Sequence, residues 1–99
     1  MKRVSVNSKR DVIERIFSSK GKTRLVRVLF KLEEANISRI ARATGLHHKL
    51  VEKYLLELKD LGIIEEHRYG RLRVFKINYT SPYAFILKQL IDLMESQQG

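Results

Sequence analysis

Between residues 45 and 79 the chain changes its hydrophobic period once, at Gly62, and this change constrains the fold more than any other feature. In GLHHKLVEKYLLELKDLG (45–62), Val51, Tyr54, Leu55, Leu58 and Leu61 recur at helical spacing as one apolar stripe, and Gly62 supplies a stop. The following IIEEHRYGRLRVFKINY is rich in β-branched and aromatic residues. It is broken once, at Tyr69-Gly70, where a turn needs a residue that tolerates positive φ. A helix running straight into a two-stranded hairpin with a basic tip is therefore predicted.

Upstream, Leu25, Val28, Leu29 and Leu32 fall at i, i+3, i+4 and i+7, with Val26 and Phe30 widening the stripe, so a helix is predicted from Thr23. The preceding SSKGK reads as a break. Before it, a Ser8-x-x-Asp11 pair is spaced to cap a short helix bearing Val12, Ile13, Ile16 and Phe17. Residues 1–9, with Lys2, Arg3 and Lys9 among small polar residues, read as a basic flexible arm. Ser38 is the expected cap of a short helix containing Ile40 and Ala41, which Gly45 ends. Pro82 opens a last helix in which Phe85, Ile86, Leu87, Leu90, Ile91, Leu93 and Met94 occupy more than one face. The expected fold class is mainly α with a small β-hairpin (α+β). It divides into an arm over 1–9, one domain over 10–80 and an added helix over 81–99.

The chain has 99 residues, room for one small domain with one core. Hydrophobic residues at 43% and charged residues at 31% suit a globular protein. Without cysteine there is no disulfide, catalytic thiol or thiolate metal site. No apolar run approaches the roughly 20 residues that span a bilayer, and MKRVSVNSKR lacks the apolar segment of a signal peptide, so a cytoplasmic, nucleoid-associated location is expected. Lysine and arginine number 20 against 11 acidic residues, a net charge of +9, which points to a polyanion and favours nucleic acid over an anionic membrane.

The order of helix, helix, short helix, tight turn, helix, hairpin, helix resembles the winged helix-turn-helix family, in particular ArsR-like and MarR-like regulators of archaeal type. The resemblance covers roughly residues 22–79 and is most specific in ISRIARATGLHHKLVEKYLLELKDLGII and RLRVFKI. The apolar anchors of the family pattern fall on Ile40, Ala41, Leu46, Val51, Leu55, Leu58, Ile63, Val74 and Ile77. The resemblance implies a recognition helix that enters the major groove of double-stranded DNA by its N-terminal residues and a wing beside it. Where the family commonly begins that helix with Ser or Thr, this chain has His47, and outward position 52 is an acidic Glu52.

With the Val51, Leu55 and Leu58 stripe turned inward, steps of about 100° point Lys49, Glu52, Lys53, Leu56 and Asp60 outward. Lys49 and Lys53 lie in the first two turns with His47 and His48 at the rim, whereas Asp60 near the far end repels phosphate, so only the first half is expected to enter a groove. Glu52 either accepts from cytosine N4 or pairs with Lys49 or Lys53. Adjacent histidines point about 100° apart and lack partners, so neither metal nor cofactor is expected. On the wing, Arg68, Arg71 and Arg73 surround the tip and suit a phosphate backbone or the minor groove. Arg39 and Arg42 on the short helix are candidates for flanking phosphates.

The last helix carries more apolar surface than one domain covers, so Phe85, Ile86, Leu87, Leu90, Ile91, Leu93 and Met94 are expected at a homodimer interface, the alternative being that the helix wraps its own domain. Catalysis is not expected: there is no Gly-rich phosphate loop, no Ser/His/Asp set at credible spacing and no carboxylate pair in an apolar setting. Gly21-Lys22-Thr23 matches only the end of a P-loop. The expected function is a homodimeric, sequence-specific DNA-binding transcriptional regulator. No small-molecule effector is evident. An architectural DNA coater and a winged helix used for protein contact remain the alternatives.

Overall fold

The computed structural model describes residues 12–98, so the basic arm and the Ser8–Asp11 cap lie outside the described residues. Five helices and three strands follow in the order α1 (Val12–Ile16), α2 (Lys20–Leu32), β1 (Glu34–Asn36), α3 (Ile37–Thr44), α4 (His48–Asp60), β2 (Ile64–Tyr69), β3 (Leu72–Ile77) and α5 (Pro82–Gln98). The strands form one antiparallel sheet in the order β1-β3-β2. Leu25 and Leu29 of α2, Ile40 of α3, Val51, Leu55 and Leu58 of α4, Ile63 and Phe75 meet in a single core. Each such side chain contributes roughly 1.5–3 kcal/mol by leaving water.

Helix α2 starts three residues earlier than the apolar period suggests. The Ser19 hydroxyl accepts the Lys22 amide at 3.1 Å and its carbonyl accepts the Thr23 amide at 3.0 Å, so SSKGK holds both the break and the next helix start. Gly21 lies inside α2 because a Cβ there would sit 3.2 Å from a methyl of Leu46; the bare backbone lets α2 press against the α3–α4 turn. Lys22 is only 2% exposed. Its Nζ donates to Glu57 at 2.7 Å and lies 5.8 Å from the Tyr54 ring centroid, while the Tyr54 hydroxyl bonds Ser19 Oγ at 2.9 Å. These polar bonds fasten the start of α2 to the middle of α4.

The third strand is not evident in the sequence pattern. Glu33 turns the chain at φ 69, held by its amide on Leu29 O at 2.7 Å and by its carbonyl, which accepts the Ile77 amide at 3.0 Å. The three residues that follow pair with β3, Ala35 opposite Phe75. Helix α3 is capped by Asn36 rather than Ser38, with Asn36 Oδ1 accepting the Arg39 amide at 2.8 Å. It ends as expected at Gly45, whose φ of 76 suits a left-handed cap.

Pro82 does open α5, and the Ser81 hydroxyl accepts the Ala84 amide at 3.3 Å. The helix divides its apolar residues between two faces. Ala84 and Leu87 enter the domain's own core with Ile91 packed against it, so of the residues expected at a dimer interface Leu87 is covered by its own domain and Ile91 partly so. Phe85, Ile86, Leu90, Leu93 and Met94 point outward, Phe85 and Ile86 at 59% and 61% exposure. No helix among the described residues is long and apolar enough to cross a membrane.

The buried Lys22 makes a stability test. Removing Glu57 strands an ammonium in the core, whereas Lys22→Met fills the same space without charge. Chemical denaturation is expected to show Glu57→Ala losing about 1–3 kcal/mol, discounted for the half-exposed carboxylate, and Lys22→Met losing less.

Candidate nucleic-acid interface

The α3–turn–α4 unit is built so that the second helix presents a polar outer face. Thr44 closes α3 by donating to Ile40 O at 2.7 Å and accepts the Leu46 amide at 3.2 Å, which fixes the turn. His47 then caps α4. Its Nδ1 accepts the Lys49 amide at 3.2 Å, so the neutral ring carries its proton on Nε2 as a donor. His47 thus fills the capping role that Ser or Thr serves elsewhere. His48 lies beside it on α4, with Nε2 3.5 Å from Ser38 Oγ of α3. Lys49 and Lys53 are exposed and make no ion pair among the described residues. With Glu52 and Leu56 they line an open trough along α4, ended by an Arg15–Asp60 pair at 3.0 Å that ties Asp60 to α1.

The wing is joined to this helix by charge. Gly70 and Arg71 form the hairpin loop between the paired Tyr69 and Leu72, with Gly70 at φ 61, which puts Arg71 at the apex and exposed. Arg68 and Arg73 face each other across β2 and β3, a like-charge pairing that is unfavourable alone. Glu66 resolves it. Its side chain is 4% exposed, and Oε2 accepts Arg73 Nε at 2.7 Å and pairs with Arg68 Nε at 3.2 Å, while Oε1 accepts Lys59 Nζ of α4 at 3.1 Å. Arg73 reaches on to α4, its Nη1 donating to Glu52 Oε2 at 2.6 Å, and its guanidinium lies 5.4 Å from the Phe75 ring centroid. The bond from Arg73, with Lys59 assisting, holds the Glu66 carboxyl at about 2 despite burial, and the two carboxylates raise the Arg73 pKa.

The sequence-predicted residues therefore separate into two groups. His47, His48, Lys49 and Lys53 gather at the N-terminal half of α4, and Arg71 stands at the wing apex; Arg39 and Arg42 are exposed on α3. Arg73 and Glu52 differ from expectation. Arg73 is half-buried and engaged by two carboxylates, and Glu52 pairs with Arg73 rather than with Lys49 or Lys53. Arg68 remains exposed at the edge of the network. Glu66 and Lys59 have no role that the sequence pattern announces. The one available signal is the strand alternation, which puts Glu66 on the same face of β2 as Ile64 and Arg68. His67 pairs with Glu65 at 3.0 Å, and no three His, Asp or Glu side chains converge as metal ligands among the described residues.

No family model and no curated protein matches the chain. Solved structures do. The chain is similar to the transcriptional repressor PagR of Bacillus anthracis, at 20% identity and a TM-score of 0.65 over 88% of this chain and 95% of that one. It is similar to the AntR antimony-specific transcriptional repressor, at 20% identity and 0.68 over 98% and 91%. A third likeness is to the homodimeric winged helix-turn-helix DNA-binding domain of a possible ArsR-family regulator from Mycobacterium bovis, at 18% and 0.64 over 95% and 90%. The fold is a winged helix-turn-helix. In its terms α3 and α4 are the helix-turn-helix, α4 its second helix, β2 and β3 the wing, and the α+β class expected from the sequence holds.

The Glu66 network makes the winged helix sensitive to acid. Because the folded carboxyl titrates near 2 and an unfolded one near 4.5, the unfolded chain binds the extra proton between those values. The stabilisation is complete above the unfolded value and is lost as pH falls through the folded one. Denaturation midpoints are expected to decline from about pH 5 to about pH 2, and Glu66→Gln should flatten that decline while costing up to about 3 kcal/mol at neutral pH.

Proposed function

We propose that this chain is a homodimeric transcriptional regulator that binds double-stranded DNA in a sequence-specific manner, as a non-enzymatic cytoplasmic protein working at the nucleoid. The observation that carries the reading is the placement of cations that make no ion pair among the described residues: Lys49 and Lys53 on the first two turns of α4, and Arg71 at the wing apex. In this reading Lys49, Lys53, His47 and His48 work in the major groove. Arg71, with Arg68, contacts the backbone or minor groove, and Arg39 and Arg42 reach flanking phosphates. Glu52 and Arg73 hold the wing against α4. The solved structures similar to this chain include transcriptional repressors and a homodimeric DNA-binding domain, which agrees with the reading.

The outer face of α5 supports the dimer. Phe85, Ile86, Leu90, Leu93 and Met94 lie in water in the single chain, and Ile13 of α1 is exposed as well. A two-fold pairing of these faces gives two recognition helices. Light scattering at micromolar concentration is expected to return a dimer, and Leu90→Asp with Leu93→Asp a monomer that keeps its helical content. A wild-type monomer would refute the assembly.

Selection of bound duplexes from a random pool tests the function itself. An enriched palindrome is expected, and absence of enrichment leaves an architectural coater instead. If a dimer neutralises about eight phosphates, log affinity falls against log salt with a slope of roughly −7. Arg71→Ala is expected to weaken binding to all sequences alike, while Lys49→Ala also changes the selected sequence.

A further inference from the structure

Helix α2 carries Lys20, Lys22, Arg24, Arg27 and Lys31 and no acidic residue in its thirteen positions. Lys22 is buried. The other four are exposed and recur at i, i+4, i+7 and i+11, which sets them along one face. Like charges four residues apart on a helix repel, here Lys20 with Arg24 and Arg27 with Lys31. A face kept charged for solubility intersperses both signs. Helix α3 adds Arg39 and Arg42 and again no acidic residue. The pattern opposes the stability of α2 itself and so points to a polyanion outside the fold.

The stripe begins beside the reading helix. Arg24 Nη1 donates to the Thr44 carbonyl at 3.1 Å, and Gly21 backs onto Leu46, so Lys20 and Arg24 border the turn that delivers His47 and α4. At its start the stripe faces a hollow lined by Lys20, Arg24 and Arg27 with no acidic side chain, whereas towards Lys31 it borders a second hollow that also holds Glu33, Asp92 and Glu95. Among the described residues only Arg27 of the four is paired, to Glu95 at 2.9 Å, and both side chains are exposed, a bond that salt or a phosphate readily exchanges. From Lys20 to Lys31 the stripe runs about 16 Å, the axial rise of about five base pairs.

We infer that the exposed α2 stripe is a second DNA-contact surface, taking the phosphate backbone of duplex that flanks the site read by α4. The inference rests on the DNA-binding reading above. It adds affinity and footprint without base readout, because lysine and arginine on phosphate carry no sequence information.

The test compares wild type with a Lys20→Gln, Arg27→Gln, Lys31→Gln variant on two duplexes, Arg24 being kept because it bonds the Thr44 carbonyl of the α3–α4 turn. One holds the selected core alone, about two helical turns, and the other the same core with about one further turn on each side. The variant is expected to match wild type on the short duplex. On the long one it loses about tenfold or more at roughly 0.1 M salt, with a salt slope shallower by about 0.9 for each phosphate no longer neutralised. Comparing variant with wild type at each length removes the statistical gain that any longer duplex offers. Thermal melting is expected near the wild-type temperature, since relief of the repulsion offsets the lost, exposed Arg27–Glu95 pair, so an affinity loss does not stem from unfolding.

Equal affinities of variant and wild type on the long duplex overturn the inference, as does an equal loss on both lengths. Loss of binding to phosphatidylserine vesicles with unchanged duplex binding assigns the stripe to a membrane and overturns it as well. A wild type that binds the core with the same salt slope whether or not flanks are present removes this inference alone. A wild type that binds no duplex removes the regulator reading with it.

Discussion

A single buried carboxylate sets the relation between the two parts that face outward together. Glu66 on β2 is bonded to Arg73 on β3 and to Lys59 on α4, and Arg73 spans from it to Glu52 on α4. An isolated carboxylate sealed from water would be costly, and here three cations and two side-chain hydrogen bonds compensate it. The choice of arginine at 73 follows from geometry. Only a planar fork presents Nε to one carboxylate and Nη1 to another while its face lies over Phe75, where a lysine offers a single point charge. The wing is thereby attached to α4 along the helix, at Glu52 in its second turn and Lys59 in its last.

The apolar framework is legible in the sequence because it repeats. The stripes of α2 and α4, the stop at Gly62 and the hairpin around Gly70 each depend on neighbours within a few positions, and each sits where the period puts it. What escapes depends on partners far along the chain. Strand β1 has three residues, too few to show alternation, and exists because Phe75 and its neighbours offer an open edge. Lys22 reads as part of a break, yet Glu57, thirty-five positions away, makes it a core residue. The sequence allows Glu52 two partners, a base or a neighbouring lysine on its own helix, and the structure gives it Arg73 on a strand twenty-one positions on. Charged side chains are long and find partners by proximity in space, which no local period encodes.

Charge is also divided across the surface. From Ala35 to Val51 and from Arg15 to Leu32 the sequence has no acidic residue, and those stretches form α2, α3 and the beginning of α4. Most acidic residues gather elsewhere, in the C-terminal half of α4, β2, the Glu33–Glu34 corner and α5, with Glu14 of α1 and Glu52 in the second turn of α4 standing apart. Where an acid meets the polar face of α4 it is already neutralised, Glu52 by Arg73 and Asp60 by Arg15. An anion approaching the first turns of α4, such as the phosphate backbone of the proposed partner, would therefore meet cations with little opposing charge.

In the proposed reading, a need for assembly follows from how few base-contacting groups one α4 helix supplies. On the outer face of α4, Lys49, Lys53 and two histidines at the rim precede Leu56 and the tied Asp60, and Glu52 is occupied by Arg73. A good bidentate base contact discriminates by about 1–3 kcal/mol, and specific binding stands some 4–10 kcal/mol above non-specific binding. A lysine presents a point charge rather than a fork, so two of them fall at the low end of that scale. If α4 reads DNA as proposed, one copy falls short of that range, whereas two helices held in register by a two-fold axis would double the contacts without altering either. The exposed apolar outer face of α5 is the surface proposed above for pairing with that second copy, and in that reading the base-contacting chemistry of α4 and the packing chemistry of α5 are one requirement.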